Sequence, residues 1–84
     1  MFDYYFTFRS ITAAQRSGRL LEQAGLAVQV VRTPKNLQKQ GCGYSLRVKA
    51  GQFHRARELL LRSDAKYQRI YTRSAAGNWE EIKT

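Results

Sequence analysis

Between Tyr4 and Thr72 the apolar spacing switches from alternation to helical spacing and back, twice. Tyr4-Tyr5-Phe6-Thr7-Phe8 is aromatic and β-prone, which predicts a strand. From Thr12 to Ala24 the apolar positions are Ala14, Leu21 and Ala24, flanked by Ala13 and Leu20. Gln15, Arg16, Arg19, Glu22 and Gln23 fall on the other side, so this stretch is a helix, and Gly18 lets it approach a sheet closely. Ser10 or Thr12 can cap it, and Thr12-Ala13-Ala14-Gln15 matches a capping box. Gly25 stands where a left-handed residue ends helices. Ala27 to Val31 is a second strand, stopped by Pro34. Gly43 to Lys49 alternates Tyr44, Leu46 and Val48 with Ser45, Arg47 and Lys49, a half-buried third strand. Ala50-Gly51 turns the chain into a second helical stripe of Phe53, Ala56, Leu59 and Leu60 within Gln52 to Arg62. Tyr67 to Thr72 is a fourth strand, Ala76-Gly77-Asn78 a hairpin turn, and Trp79 to Lys83 a short fifth strand.

The order is therefore β-α-β-β-α-β plus a tail. Two right-handed units of this kind predict an α+β ferredoxin-like plait. It has a four-stranded antiparallel sheet with two helices on one face, followed by a C-terminal hairpin strand. Residues 1–73 form the domain and 74–84 a tail or extra strand. A length of 84 residues suits one modest core.

Composition narrows the function. Apolar residues make up 43% of the chain, a folding composition. No run approaches the roughly 18 apolar residues of a membrane span, and MFDYYFTFRS has no signal-peptide pattern, so the expectation is a cytoplasmic protein with no membrane partner. One cysteine, Cys42, and one histidine, His54, are too few for a zinc site, and no metal or cofactor is expected. The six carboxylates form no acid/base pair. The net charge of +9 attracts anions of any kind: nucleic acid, an acidic protein or a small anionic cargo.

The topology places Cys42. With the first strand running up, the first helix starts at the top, and the third strand also starts there. Cys42 then lies near Arg9, Ser10, Ile11 and Thr12. A helix N-terminus offers unpaired N–H groups and about half a positive charge, which favours a thiolate. Arg9, Arg32, Lys35 and Lys39 can add to the field. Gly41 and Gly43 remove bulk beside the sulfur and free backbone N–H groups for an anion. The opposing reading is also open: Cys42 shares the parity of Tyr44 and Leu46, and free cysteine is commonly a small buried apolar residue.

The residues that carry a resemblance are Tyr4-Tyr5-Phe6-Thr7-Phe8, the Ser10/Thr12 helix start, Ala24-Gly25-Leu26-Ala27-Val28, Thr33-Pro34, and Cys42-Gly43-Tyr44-Ser45-Leu46-Arg47. From Tyr4 to Arg73 the chain resembles the selenium/sulfur carrier-like family of small bacterial proteins. The resemblance implies that Cys42 is the carrier atom, holding a persulfide or selenosulfide between a donor such as a cysteine desulfurase and an acceptor protein. That makes the chain a carrier rather than a turnover enzyme. It departs from the family in its basic approach to the cysteine, Lys35, Lys39 and Gln40, where a short acidic or serine-rich run is common. It departs again in the tail from Ser74 to Thr84.

The alternative is a nucleic-acid-binding domain. Parity puts Tyr5, Arg9, Arg47, Lys49, Arg69, Tyr71 and Arg73 on the face away from the helices, where related sheets stack bases. Gln40-Gly41-Cys42-Gly43-Tyr44 echoes the strand signature of such domains, with Cys42 standing where a stacking aromatic belongs. In that reading Cys42 is structural. The same face is also suited to cover by the Trp79 tail or by a second copy in a homodimer.

Overall fold

The computed structural model describes residues 3–33, 43–63, 67–74 and 76–82. Seven elements follow in order: β1 (Tyr4–Phe8), α1 (Ile11–Gln23), β2 (Val28–Arg32), β3 (Tyr44–Val48), α2 (Phe53–Arg62), β4 (Arg69–Arg73) and β5 (Trp79–Glu81). They build one antiparallel sheet in the order β2-β3-β1-β4-β5. The architecture is a small α+β domain with two helices. The sheet has five strands rather than four with a separate hairpin strand. The tail joins it because Tyr71, Thr72 and Arg73 pair with Glu81, Glu80 and Trp79. A turn at Gly77 (φ 86°), closed by Gly77 N–H to the Ser74 carbonyl at 2.9 Å, makes that return.

The register explains the core. Phe6 of β1 stands opposite Leu46 of β3 and Ile70 of β4, and Phe8 stands opposite Tyr44. These even positions of β1 face both helices. Phe6, Phe8, Leu46, Val48 and Ile70 join Ala14 and Leu21 of α1 and Phe53, Ala56 and Leu60 of α2 in one cluster. The Phe53 ring stacks on Tyr4 at 4.1 Å and on Phe6 at 5.8 Å. Burying each such phenylalanine contributes about 2–3 kcal/mol.

The helix ends are built locally. Ser10, in extended conformation, caps α1 by accepting from Ala13 N–H at 3.1 Å. Thr12 lies inside the helix and is exposed, so the capping box expected there does not form. At the other end Gly25 (φ 88°) permits two closing bonds, Gly25 N–H to Glu22 O and Leu26 N–H to Leu21 O, both 3.0 Å. Leu26 and Leu21 are both buried there. Before α2 the chain makes a 3-10 turn, Ala50–Gln52. No helix among the described residues is long and apolar enough to cross a membrane.

Gly18 sets how closely α1 lies on the sheet. A Cβ there would stand 3.1 Å from Leu46 Cδ2 and 3.6 Å from Val30 Cγ2. Gly18→Ala should shift stability by less than about 1 kcal/mol, because better helix propensity offsets the crowding. Gly18→Val should cost about 1–3 kcal/mol in urea unfolding, since two more methyls must enter a packed seam.

Candidate functional site

Four chain segments meet at one end of the sheet: the end of β1, the start of α1, the end of β2 and the start of β3. Phe8–Tyr44 is the last pair of the β1–β3 ladder, so Arg9 and Gly43 follow it at that end. Thr33 N–H donates to the Gly43 carbonyl at 2.6 Å, extending the β2–β3 pairing by one step. The Thr33 and Ser45 hydroxyls are hydrogen-bonded to each other, and both side chains are buried. The two ends of segment 34–42 are thus held side by side. Cys42, Gly41, Lys39 and Lys35 belong to that segment and lie outside the described residues.

Gly43 is the described neighbour of Cys42, and its φ of 75° lies in the left-handed region. Strand alternation therefore ends at Gly43. The parity of Tyr44, Leu46 and Val48 cannot be carried back to residue 42, so it no longer puts the sulfur under the helices.

The electrostatics at this end are positive. The Ser10 hydroxyl accepts from Ala13 and the Ser10 carbonyl from Ala14 N–H at 3.1 Å. The N–H groups of Ile11 and Thr12 have no acceptor within the helix. The first turn of α1 contains no acidic residue, so its positive end keeps its field. Arg9 is exposed just ahead of the cap. Arg32 hydrogen-bonds the Tyr44 hydroxyl through Nη1 at 3.2 Å and lies over that ring, 5.5 Å from its centre. Neither arginine has a carboxylate partner among the described residues.

The residues singled out for nucleic acid lie on the opposite face of the sheet. Tyr5 pairs in register with Arg47 and with Tyr71, and Thr7 with Arg69. Much of this face is already occupied. Arg47 Nε binds Asp3 Oδ2 at 2.5 Å, which holds the guanidinium protonated beyond its usual range. Arg69 reaches Glu81 at 3.3 Å. The Tyr5 ring meets Trp79 edge-on at 5.0 Å, and Arg73 lies over Trp79 at 5.2 Å. Tyr71 is only 4% exposed, so its ring face is not offered to a base. Lys49 is exposed and has no carboxylate partner among the described residues. His54 is exposed on α2 with its ring against Phe53.

Sequence reasoning missed the hydroxyl row. Thr7, Ser45 and Thr33 are all less than 9% exposed, on the face away from the helices. The Thr7 hydroxyl accepts from Arg69 N–H at 3.1 Å and ties β1 to β4. The signal available was small hydroxyl residues at neighbouring odd positions of β1 and β3, which reads as solvated surface until something covers it.

Two substitutions test this end of the molecule. Ser10→Ala should cost about 1 kcal/mol in thermal or urea unfolding through loss of the cap. Gly43→Ala should cost about 1–2 kcal/mol, because a side chain at positive φ is strained.

The chain has no match among curated proteins and none among solved structures. One family model matches residues 3–72, from the residue before β1 to Thr72 in β4, so it spans both helices and the Thr33–Gly43 closure. The chain belongs to the family described as "Putative Se/S carrier protein-like".

Proposed function

We propose that the chain carries sulfur or selenium on Cys42, taking it from a donor protein and passing it to an acceptor. The family match over residues 3–72 carries this reading. Support comes from the neighbourhood of Gly43, where the positive end of α1 and the cations Arg9 and Arg32 gather without carboxylate partners among the described residues. The strand order and the two helical crossovers fit the ferredoxin-like plait, with β5 as an addition at one edge.

The chemistry is a transfer between thiols. The Cys42 thiolate attacks the outer sulfur of a donor persulfide, R–S–SH. The bond from Cys42 to that sulfur forms, the donor S–S bond breaks, and the electron pair leaves with the donor thiolate. Cys42 then holds –S–SH, which loses its proton to become –S–S⁻. Selenium follows the same course through a donor selenosulfide. No net oxidant is required, because one persulfide is exchanged for another. Arg9, Arg32, Lys39 and the N–H groups around Gly41, Gly43, Ser10 and Thr12 stabilise the terminal anion. A dithiol oxidoreductase needs a resolving cysteine, and the sequence contains one cysteine in all. The donor is a protein such as a cysteine desulfurase, and the working compartment is the cytoplasm, where thiols are kept reduced.

Intact-mass spectrometry checks the reading. After incubation with a cysteine desulfurase and cysteine, without reductant, the wild-type chain should gain one sulfur that a thiol reductant removes. Cys42→Ser should gain none. An unmodified wild-type chain whose Cys42 also resists alkylation in the native state would contradict the proposal.

A further inference from the structure

The two edges of the sheet are made differently. β5 is three residues long and carries Glu80 and Glu81, which blunt it against further pairing. β2, at the other edge, is five residues long and runs Val28-Gln29-Val30-Val31-Arg32. No proline, lysine or bulge interrupts it, and Val30 is 40% exposed. Thr33 N–H bonds the Gly43 carbonyl, so in antiparallel alternation the odd residues of β2 turn their backbone groups toward β3. The N–H and C=O groups of Val28, Val30 and Arg32 therefore point outward along the edge.

Each side of this strand has a depression beside it. On the helix side one of 290 Å³ is lined by Gly18, Arg19, Glu22, Val28 and Val30. A second, of 520 Å³, wraps the start of β2 and reaches the other face through Gln29, Arg47 and Lys49. A strand laid along an edge sends successive side chains to opposite faces, and there is room on both. The surrounding charge is positive on balance. Glu22 lines both depressions without a cation partner among the described residues, but Arg19, Arg32 and Lys49 outnumber it and have no carboxylate partner there, and Asp3 is engaged by Arg47.

We propose that the outer edge of β2 is a strand-addition site for an extended acidic segment of a partner protein, with apolar side chains over Val28, Val30 and Gly18 and carboxylates near Arg19, Arg32 and Lys49. Charge selects this occupant over a second copy. Two chains of net charge +9 repel, and the acidic β5 of another copy is three residues long with Glu81 held by Arg69. The surface stands apart from the sulfur chemistry. Because β2 runs through Thr33 into segment 34–42, it would nonetheless seat a partner beside the chain that carries Cys42.

The test is amide NMR of the isotope-labelled full chain, titrated with an alternating valine–glutamate peptide and with its valine–lysine counterpart. The glutamate peptide should shift amides of Val28 to Arg32 and their neighbours in β3 and α1, and the lysine peptide should not. Val30→Pro removes an outward N–H without breaking the β2–β3 ladder, so its spectrum should stay native while peptide affinity falls at least about tenfold. The double variant Arg19→Glu, Lys49→Glu keeps the edge and reverses the charge, and should also lose about tenfold or more. Absence of shifts at β2, or peptide affinity in either variant equal to that of the wild-type chain, would overturn the proposal. So would oligomers in sedimentation without peptide that Val30→Pro abolishes, because the edge would then belong to another copy of this chain.

Discussion

Phe6 of β1 pairs with Leu46 of β3 on one side and with Ile70 of β4 on the other, and all three side chains are buried beneath the two helices. Every other feature is positioned from that row. β1 is central, so it fixes the registers of both neighbours. Its even residues meet Phe53 of α2 and Tyr67 ahead of β4, while α1 lies over β2 and β3 with Gly18 against Leu46. A one-residue slip of β1 would turn Tyr5 and Thr7 into the core, where their hydroxyls would need new partners. The core thus selects one register, and the register decides what stands at the end where Phe8 gives way to Arg9 and Ser10.

That end has an uncommon combination. The cap on α1 is a neutral serine, the first turn is free of carboxylates, and a glycine at positive φ follows the last undescribed residue of segment 34–42. Helix starts often carry an aspartate or glutamate that neutralises the dipole. Here the field is left available, and two arginines add to it without nearby carboxylates among the described residues. On the opposite face Arg47 and Arg69 are tied to Asp3 and Glu81, while Lys49 and Arg73 have no carboxylate partner among the described residues. The overall charge of +9 is therefore not spread evenly as free charge.

Much of the fold was legible in the sequence because its signals are local. The alternation of Tyr4 to Phe8 gave β1 to the residue, and Gly25 gave the end of α1. β2 and β4 fell one or two residues later than expected, since strand limits depend on pairing with β3 and β1 rather than on their own composition. Ser10 prevailed over Thr12 as the cap because β1 ends at Phe8 and the first turn begins at Ile11. What parity could not give is cover. It put Tyr71, Ser45 and Thr7 on the face away from the helices, but not that they are buried there. The tail was legible as a turn at Gly77 and a short fifth strand from Trp79, but not as a fifth member of the main sheet, which depends on the free edge that β4 offers. At the site, Gly43 was legible as a turn glycine, while its effect on the parity of Cys42 needed a backbone angle.

The proposed carrier role needs a Cys42 thiolate stabilised by nearby positive charge, and the pH dependence of its alkylation tests that most directly. An ordinary cysteine titrates near about 8.5. A positive helix end and unneutralised cations favour the charged form, so the rate should rise with pH through a midpoint below that value, and raising the salt concentration should move the midpoint back up. A midpoint at or above the ordinary value, indifferent to salt, would contradict the account and mark Cys42 as a packed, inert side chain.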